Sequence, residues 1–248
     1  MTRRWLNRAM RASGFRVTRW RPSNRFDAMR ETVEMLHAQG YRPRIVIDAG
    51  ANMGMWSRMA HDVFGDSQFI LIEPQPACQP QLREAAAAIG KASVHAVAVS
   101  APGRSRVGLV GGTAEGGTGV GVLEADADVA AEIECEATTL DALCAHTIRR
   151  EDRALLKLDL EWHEMPALEG APQLLGAVEV IVSESQIFPI NDNDRAVFRD
   201  LVNLLHAAGF ELYDLATMNG RRRDGRLTMV DAVFVRRDSP LAQDRWWV

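Results

Sequence analysis

Three groups of residues have types and spacings that could do chemistry. The first is Asp48-Ala49-Gly50-Ala51-Asn52-Met53-Gly54, a D-x-G-x-N-x-G run directly after Ile45-Val46-Ile47. A β-branched run followed by glycines reads as a buried strand turning into a helix, with backbone that lets a ligand come close. The second glycine of a G-x-G-x-x-G dinucleotide turn is missing, and so is the Gly-Lys-Ser/Thr of a P-loop. An acid before the first glycine repels phosphate and suits a cofactor that carries an amino group. The second group is Glu73-Pro74, which closes the apolar run before it. One carboxylate there can accept hydrogen bonds from both hydroxyls of a ribose. The third group is acidic: Asp159, Glu161 and Glu164 around Trp162 and His163, with Glu184 further on. Asp159, Glu161 and Glu184 could act as bases or hold a divalent cation, although no spacing among them is diagnostic of a metal. His163 suits proton transfer near neutral pH. Each has a structural reading too: Glu161 and Glu164 can cap or begin a helix, Asp159 can hydrogen-bond a cofactor's amino group, and His163 can be a pocket wall.

The elements that must position these groups follow from periodicity. Phe26, Met29, Val33 and Leu36 stand at helical spacing, with Gly40 as a C-terminal cap and Pro43 blocking continuation. Trp56, Met59, Ala60 and Val63 predict a helix after the glycine turn, and the alanine-rich stretch 80–89 another. Apolar runs predict buried strands at 45–47, 68–72, 94–99, 155–161 and 178–182, the last ending at Ser183-Glu184-Ser185. Residues 106–110 read as a hairpin strand, and the alternation of Glu132, Glu134 and Glu136 with apolar residues as a half-exposed one. Thr139 is placed to cap a helix, and 197–208 is an amphipathic helix closed by Gly209. Strands at 210–215 and 229–235 close the sheet as an antiparallel pair. Strand and helix alternate, so the fold class is α/β, a doubly wound sheet. The glycine-rich run 111–119 reads as a loop that could cover substrate, and Asn191 to Asp194 as a polar turn rather than a calcium loop.

Composition sets the outer limits. The chain of 248 residues suits one α/β domain at 26–248 with a basic, aromatic extension at 1–25, which carries eight arginines and no acid. That extension fits either a packed helical arm or a peripheral contact with a membrane surface. A net charge of −4 gives no reason to expect a nucleic-acid partner. Three cysteines without C-x-x-C spacing point to a reducing compartment and to neither a disulfide framework nor a zinc site. The N-terminus lacks the apolar core of a signal peptide, so the expected location is cytoplasmic, with membrane association left open.

The D-x-G-x-N-x-G turn resembles motif I of the class I S-adenosylmethionine-dependent methyltransferases. Together with Glu73-Pro74, Thr139 to Leu143, Leu156 to Ala171, Ala208 to Leu215 and Asp231 to Arg236, it resembles the FkbM-type methyltransferase family over about residues 30–236. The K-x-D-x-E-x-x-E segment at Lys157 to Glu164, followed by L-x-G-A, is its most specific part. The resemblance implies a Rossmann-like class I methyltransferase sheet, mostly parallel with an antiparallel strand near the C-terminus, and S-adenosylmethionine as cofactor. It implies transfer to a hydroxyl of a sugar, glycolipid or glycosylated metabolite, with a small-molecule or carbohydrate acceptor as partner. Carried over by position, Asp48, Gly50, Asn52, Met53 and Gly54 form the cofactor turn, Glu73 and Pro74 meet the ribose, Ala98 passes the adenine, and Asp159 holds the amino group. His163, Glu161 and Glu184 are the candidate catalytic groups, because a sugar hydroxyl needs a base or a metal to give up its proton. The chain departs from the family at Trp162, where glycine is usual. A cofactor-binding scaffold that has lost catalysis is therefore the alternative reading. A nicotinamide oxidoreductase is disfavoured by the missing second glycine.

Overall fold

The computed structural model describes residues 25–111, 119–122, 130–189, 195–220 and 223–243. Residues 1–24 of the basic extension, most of the glycine-rich loop and the whole Asn191 to Asp194 turn lie outside the described residues, while Arg25 belongs to the first helix.

In chain order the strands are β1 (Ile45–Ala49), β2 (Gln68–Ile72), β3 (Ala92–His95), β4 (Ala98–Val99), β5 (Arg106–Val110), β6 (Gly121–Val122), β7 (Ile133–Thr138), β8 (Ala154–Leu158), β9 (Val178–Gln186), β10 (Phe210–Gly220) and β11 (Leu227–Arg236). The helices are α1 (Arg25–Ala38), α2 (Met55–Val63), α3 (Gln79–Ile89), α4 (Glu164–Glu169), α5 (Pro172–Ala177) and α6 (Phe198–Ala207). The main sheet has seven strands in the order β10-β11-β9-β8-β1-β2-β3. β1 pairs in parallel with β2 and β8, and β9 in parallel with β8, whereas β11 runs antiparallel to both β9 and β10. Strand order reverses between β1 and β8, and in open α/β sheets a ligand crevice opens outside the carboxyl ends at such a point.

Each central strand is buried on both faces, which is why Ile45 to Ile47 reads as an unbroken apolar run rather than an alternation. Val46, Phe69 and Leu71 point to one side and pack with Met29, Val33 and Leu36 of α1, Met59 of α2 and Leu82 of α3. Ile45, Ile47, Ile70 and Ile72 point to the other and join Leu168, Leu174, Leu201 and Leu205 from α4, α5 and α6. Fully burying an aliphatic side chain of this kind contributes about 1.5–3 kcal/mol, so the two layers fix the level of β1 and the turn that follows it.

The structure corrects several expected strand limits: the strand predicted at 155–161 ends at Leu158, so Asp159 to Glu161 lie beyond it, and the one predicted at 210–215 runs on to Gly220. The stretch predicted as one strand at 94–99 is two: β3 ends at His95, and β4 joins a separate small sheet ordered β4-β7-β5-β6. The strand predicted to end near Val182 continues to Gln186, because β11 pairs with it through Met229 and Gln186. Glu184 therefore lies inside β9 and not beyond its end. Thr139 does cap a short turn, its Oγ1 accepting the Ala142 N–H at 3.0 Å, but that turn is a π-helix over Asp141–Ala145. Among the described residues no helix is long and apolar enough to cross a membrane.

Candidate functional site

The turn after β1 is built to expose backbone. Gly50 and Gly54 have φ of 81° and 80°, and Asn52 shares the left-handed region at 48°. A Cβ on Gly50 would sit 1.9 Å from the Asp159 carbonyl oxygen, and one on Gly54 would meet Ala85 Cβ at 2.5 Å. Gly50 thus lets β1 and β8 close on each other at their carboxyl ends, while Gly54 lets α2 pack on α3. Met53 donates its N–H to Asn52 Oδ1 at 2.8 Å, which holds the turn in shape.

Asp48 is wholly buried beneath that turn. Ser57 donates its hydroxyl to one carboxylate oxygen, and Lys157 Nζ lies 3.1 Å from the other. Lys157 also donates to the Gly50 carbonyl at 3.0 Å and stands 3.5 Å from Asp159. Burial works against the charge on Lys157, but Asp48 and Asp159 outweigh it and hold the ammonium protonated. Burial lifts the Asp48 proton affinity, with Lys157 and Ser57 opposing it. Asp48 supports the turn through Lys157 and does not line the cleft above it.

That cleft, about 760 Å³ with the open solvent at its mouth included, opens at the predicted switch point. Gly50, Asn52, Glu73 and Pro74 form one end, and Asp159, Glu161, His163 and Arg25 the other. Ile72, Val97, Ala98, Leu109, Val120 and Val122 make an apolar wall, the last three from the small sheet and its approach. Gly54, Met53 and Glu184 do not line it. Glu73 is 3% exposed, accepting the Asn52 N–H at 2.8 Å on one oxygen and the Gln75 N–H at 2.9 Å on the other. Burial raises its pKa, and these two N–H groups offset part of the rise. The Gln75 side chain adds a third hydrogen bond, which leaves the carboxylate with acceptor capacity for a ligand hydroxyl.

At the other end, Asp159 follows β8 directly and is held below its usual pKa. Burial would raise it, but Lys157, a hydrogen bond shared with Glu184, and Arg25 together prevail. Glu184 goes the other way: burial and the neighbouring Asp159 charge keep its proton on near neutrality. One proton therefore serves this pair. Glu161 accepts the Gly119 N–H at 2.7 Å, and its pKa is raised by burial and then by Asp159. Glu164 opens α4, accepts the Leu160 N–H at 2.8 Å, and is pushed up to about 7, chiefly by burial. His163 is buried with Nε2 2.9 Å from Ser100 Oγ. Burial, then the Arg104 and Arg195 charges, lower its pKa to about 4, so the ring is neutral at pH 7. Ligand atoms of Asp159, Glu161 and Glu184 lie within 4.8 Å of one another.

Trp162 adopts the backbone that glycine would favour: φ is 75° there and 51° at Glu161. Its indole turns toward the Arg195 guanidinium, 5.6 Å from the ring centre, and not into the cleft. Sequence reasoning did not single out three participants: Arg25, Asp231 and Ser100. Arg25 looked like one more arginine of a basic arm, and nothing local marks its contact with Asp231, 206 positions away.

The sheet order with its inserted antiparallel β11, and a cleft at the carboxyl ends of β1 and β8, define a class I methyltransferase. The model of the methyltransferase FkbM domain matches residues 48–212, and the chain belongs to that family of S-adenosylmethionine-dependent methyltransferases. No curated protein is a match to the sequence. Similar solved structures include a precorrin-6y C5,15-methyltransferase from Geobacter metallireducens GS-15, at 11% identity over 90% of this chain and 95% of that one, TM-score 0.45. They also include a 1,6-didemethyltoxoflavin-N1-methyltransferase from Burkholderia thailandensis with bound S-adenosylhomocysteine, at 18% identity over 84% and 78%, TM-score 0.43. A third is an rRNA methylase from Streptococcus thermophilus, at 10% identity over 89% and 98%, TM-score 0.46.

Proposed function

We propose that this chain is an O-methyltransferase that methylates a hydroxyl of a sugar, glycolipid or glycosylated metabolite. The observation that carries the reading is Glu73, a buried carboxylate with both oxygens set by backbone N–H groups and still open to the cleft, opposite a second set of acids. The residues fit S-adenosylmethionine: Glu73 suits the ribose hydroxyls, the wall with Val97, Ala98 and Leu109 suits an adenine, and the Gly50 backbone leaves room at the turn. When bound, that cofactor supplies an electrophilic methyl group.

The chain's own work is to orient an acceptor hydroxyl and take its proton. Glu161 is our choice for the base, since it lines the cleft and its raised pKa makes it a better proton acceptor than an ordinary surface carboxylate. Asp159, kept ionised by Lys157, suits the cofactor's amino group, and Glu184 braces it from behind. His163, neutral and tied to Ser100, is suited to accepting or donating a hydrogen bond at the pocket wall. The side chain of Trp162 leaves the cleft open, which favours catalysis over a scaffold role.

The test is calorimetric titration with S-adenosylhomocysteine, with NADH as control, followed by a panel of sugar hydroxyl acceptors. Micromolar binding of the first and none of the second is expected. Binding without transfer to any hydroxyl would move the chain to the scaffold reading, and NADH binding would overturn the cofactor.

A further inference from the structure

Arg25 begins α1, yet its side chain ends among three carboxylates supplied by three different parts of the sheet. Nε donates to Asp231 Oδ2 at 2.7 Å and Nη2 to Asp231 Oδ1 at 2.6 Å, a bidentate pair. The same Nη2 lies 3.0 Å from Glu184 Oε1 and 3.5 Å from Asp159 Oδ2. Asp231 and Glu184 face each other directly across the antiparallel pairing of β11 and β9. Their side chains are 4% and 2% exposed. Buried acids so placed repel when both are ionised, which is part of why Glu184 keeps its proton, and a cation beside them offsets the Asp231 and Asp159 charges that remain. Thr217 on β10 donates to Asp231, and Lys157 on β8 is already engaged with Asp48 and Asp159. Glu184 Oε2 is buried beside this group without a hydrogen-bond donor among the described residues.

The oxygen spacing of Asp159, Glu161 and Glu184 is what a carboxylate-bound divalent ion takes, and the guanidinium already holds two of these three acids as well as Asp231. We propose that Arg25 is the built-in counter-cation of this end of the cleft: its guanidinium takes the place of a divalent ion among Asp159, Glu184 and Asp231, and excludes such an ion while it is seated. The acid-rich end then works without a metal, and the last residue of the basic segment sets its charge. Arg25 is a positioning residue in this arrangement, since it holds the acids in place while Glu161 and Asp159 face the cleft. The proposal concerns the same cleft as methyl transfer but does not depend on which donor or acceptor binds there.

Mn²⁺ alone is the probe, followed by electron paramagnetic resonance on the full chain, for the wild type and for Arg25→Met, Arg25→Lys and the double variant Arg25→Met/Glu184→Gln. Arg25→Met is expected to bind Mn²⁺ at least about tenfold more tightly than the wild type. Arg25→Lys, which keeps a cation, should exclude it, and the double variant should lose the gain. Because Arg25→Met strands buried acids, thermal melting gives the second readout: Mn²⁺ should raise its Tm and leave that of the wild type unchanged. Equal Mn²⁺ affinity in wild type and Arg25→Met overturns the proposal, whether both bind tightly or neither does, and so does an Arg25→Met chain that Mn²⁺ does not stabilise. Titration of the wild type and Glu73→Ala with S-adenosylhomocysteine tests the donor reading without disturbing the Arg25 cluster, so failure of one reading is not failure of the other.

Discussion

At one end of the cleft a single carboxylate, Glu73, is fixed by N–H groups of Asn52 and Gln75, all within the β1-α2-β2 unit and the turn after it. At the other end, Asp159, Glu184, Asp231 and Arg25 come from the end of β8, the interior of β9, the interior of β11 and the start of α1. Backbone geometry holds the first, and side-chain charge balance holds the second. The N–H donors do not titrate, so the Glu73 end changes only when Glu73 itself, its pKa raised by burial, takes up a proton. The acid-rich end shares one proton between Asp159 and Glu184 and leans on two cations, Lys157 and Arg25, so its shape follows its protonation state. The contrast suits a division in which one end binds and the other handles a proton.

The sharpest way to break that division is to exchange the effects. Glu161→Gln keeps the size and the acceptor for Gly119 but removes the charge. Turnover on a hydroxyl acceptor should fall by about 10²–10⁴, the usual worth of a general base, with affinity for S-adenosylhomocysteine retained. In the wild type, turnover should rise with pH through the raised pKa of Glu161, because the base acts ionised, and this limb should vanish in Glu161→Gln. A variant that loses cofactor affinity and keeps its turnover would place Glu161 at the wrong end. Next in size is Glu73→Ala. Two charge-assisted hydrogen bonds to a ligand are worth about 1.5–3 kcal/mol each, so calorimetry should show affinity down by about 10² or more with the fold intact. Unchanged affinity would mean that the cleft is read backwards.

The donor end was legible in the sequence because its geometry is local. The D-x-G-x-N-x-G spacing forces a strand, a left-handed turn and a helix within a dozen residues, and Gly50 and Gly54 carry the positive φ that this requires. The parallel order of β1, β2 and β8 and the late antiparallel pair follow from apolar runs of the right length. Of the small sheet only β5 and β7 were legible as strands, since β4 and β6 are two residues each and are held by pairing with distant partners. The extension of β9 was hidden for a related reason. Ser183, Glu184, Ser185 and Gln186 look like a strand's polar end, and only pairing with β11 buries them. Arg25 left no local signal at all, because its meaning comes from acids 134 and 206 positions away.

A smaller effect tests whether charge balance governs the acid-rich end as a whole. Glu164 is 6% exposed and is pushed up from 4.5 to about 7, with burial the leading cause and the Asp159 and Glu161 charges adding to it. Its folded-state pKa lies above its unfolded value, so the stability it lends is present in full below about pH 4.5 and is lost as pH rises through 7. The span corresponds to about 3 kcal/mol at most. Melting curves of Glu164→Gln should therefore lack the part of the wild-type loss in Tm that falls between these pH values. Parallel pH profiles for the two proteins would show that Glu164 carries its charge at no cost.

The smallest expected effect falls on Trp162, at the edge between the two ends. Left-handed backbone costs a non-glycine residue about 1–2 kcal/mol, so Trp162→Gly should relieve strain at φ 75°. The same change removes the stacking of the indole with Arg195, worth about 0.5–1 kcal/mol at a partly exposed site. It also frees the chain around Glu161, which occupies the adjoining left-handed position at 51°. The opposing contributions should leave Tm within a few degrees of the wild type, with cofactor affinity unchanged because Trp162 does not line the cleft. Any change should appear in turnover, through looser placement of Glu161. A large gain in stability with full turnover would mean that Trp162 serves neither the fold nor the site, whereas a large loss would make the Arg195 contact a main support of the acid-rich end.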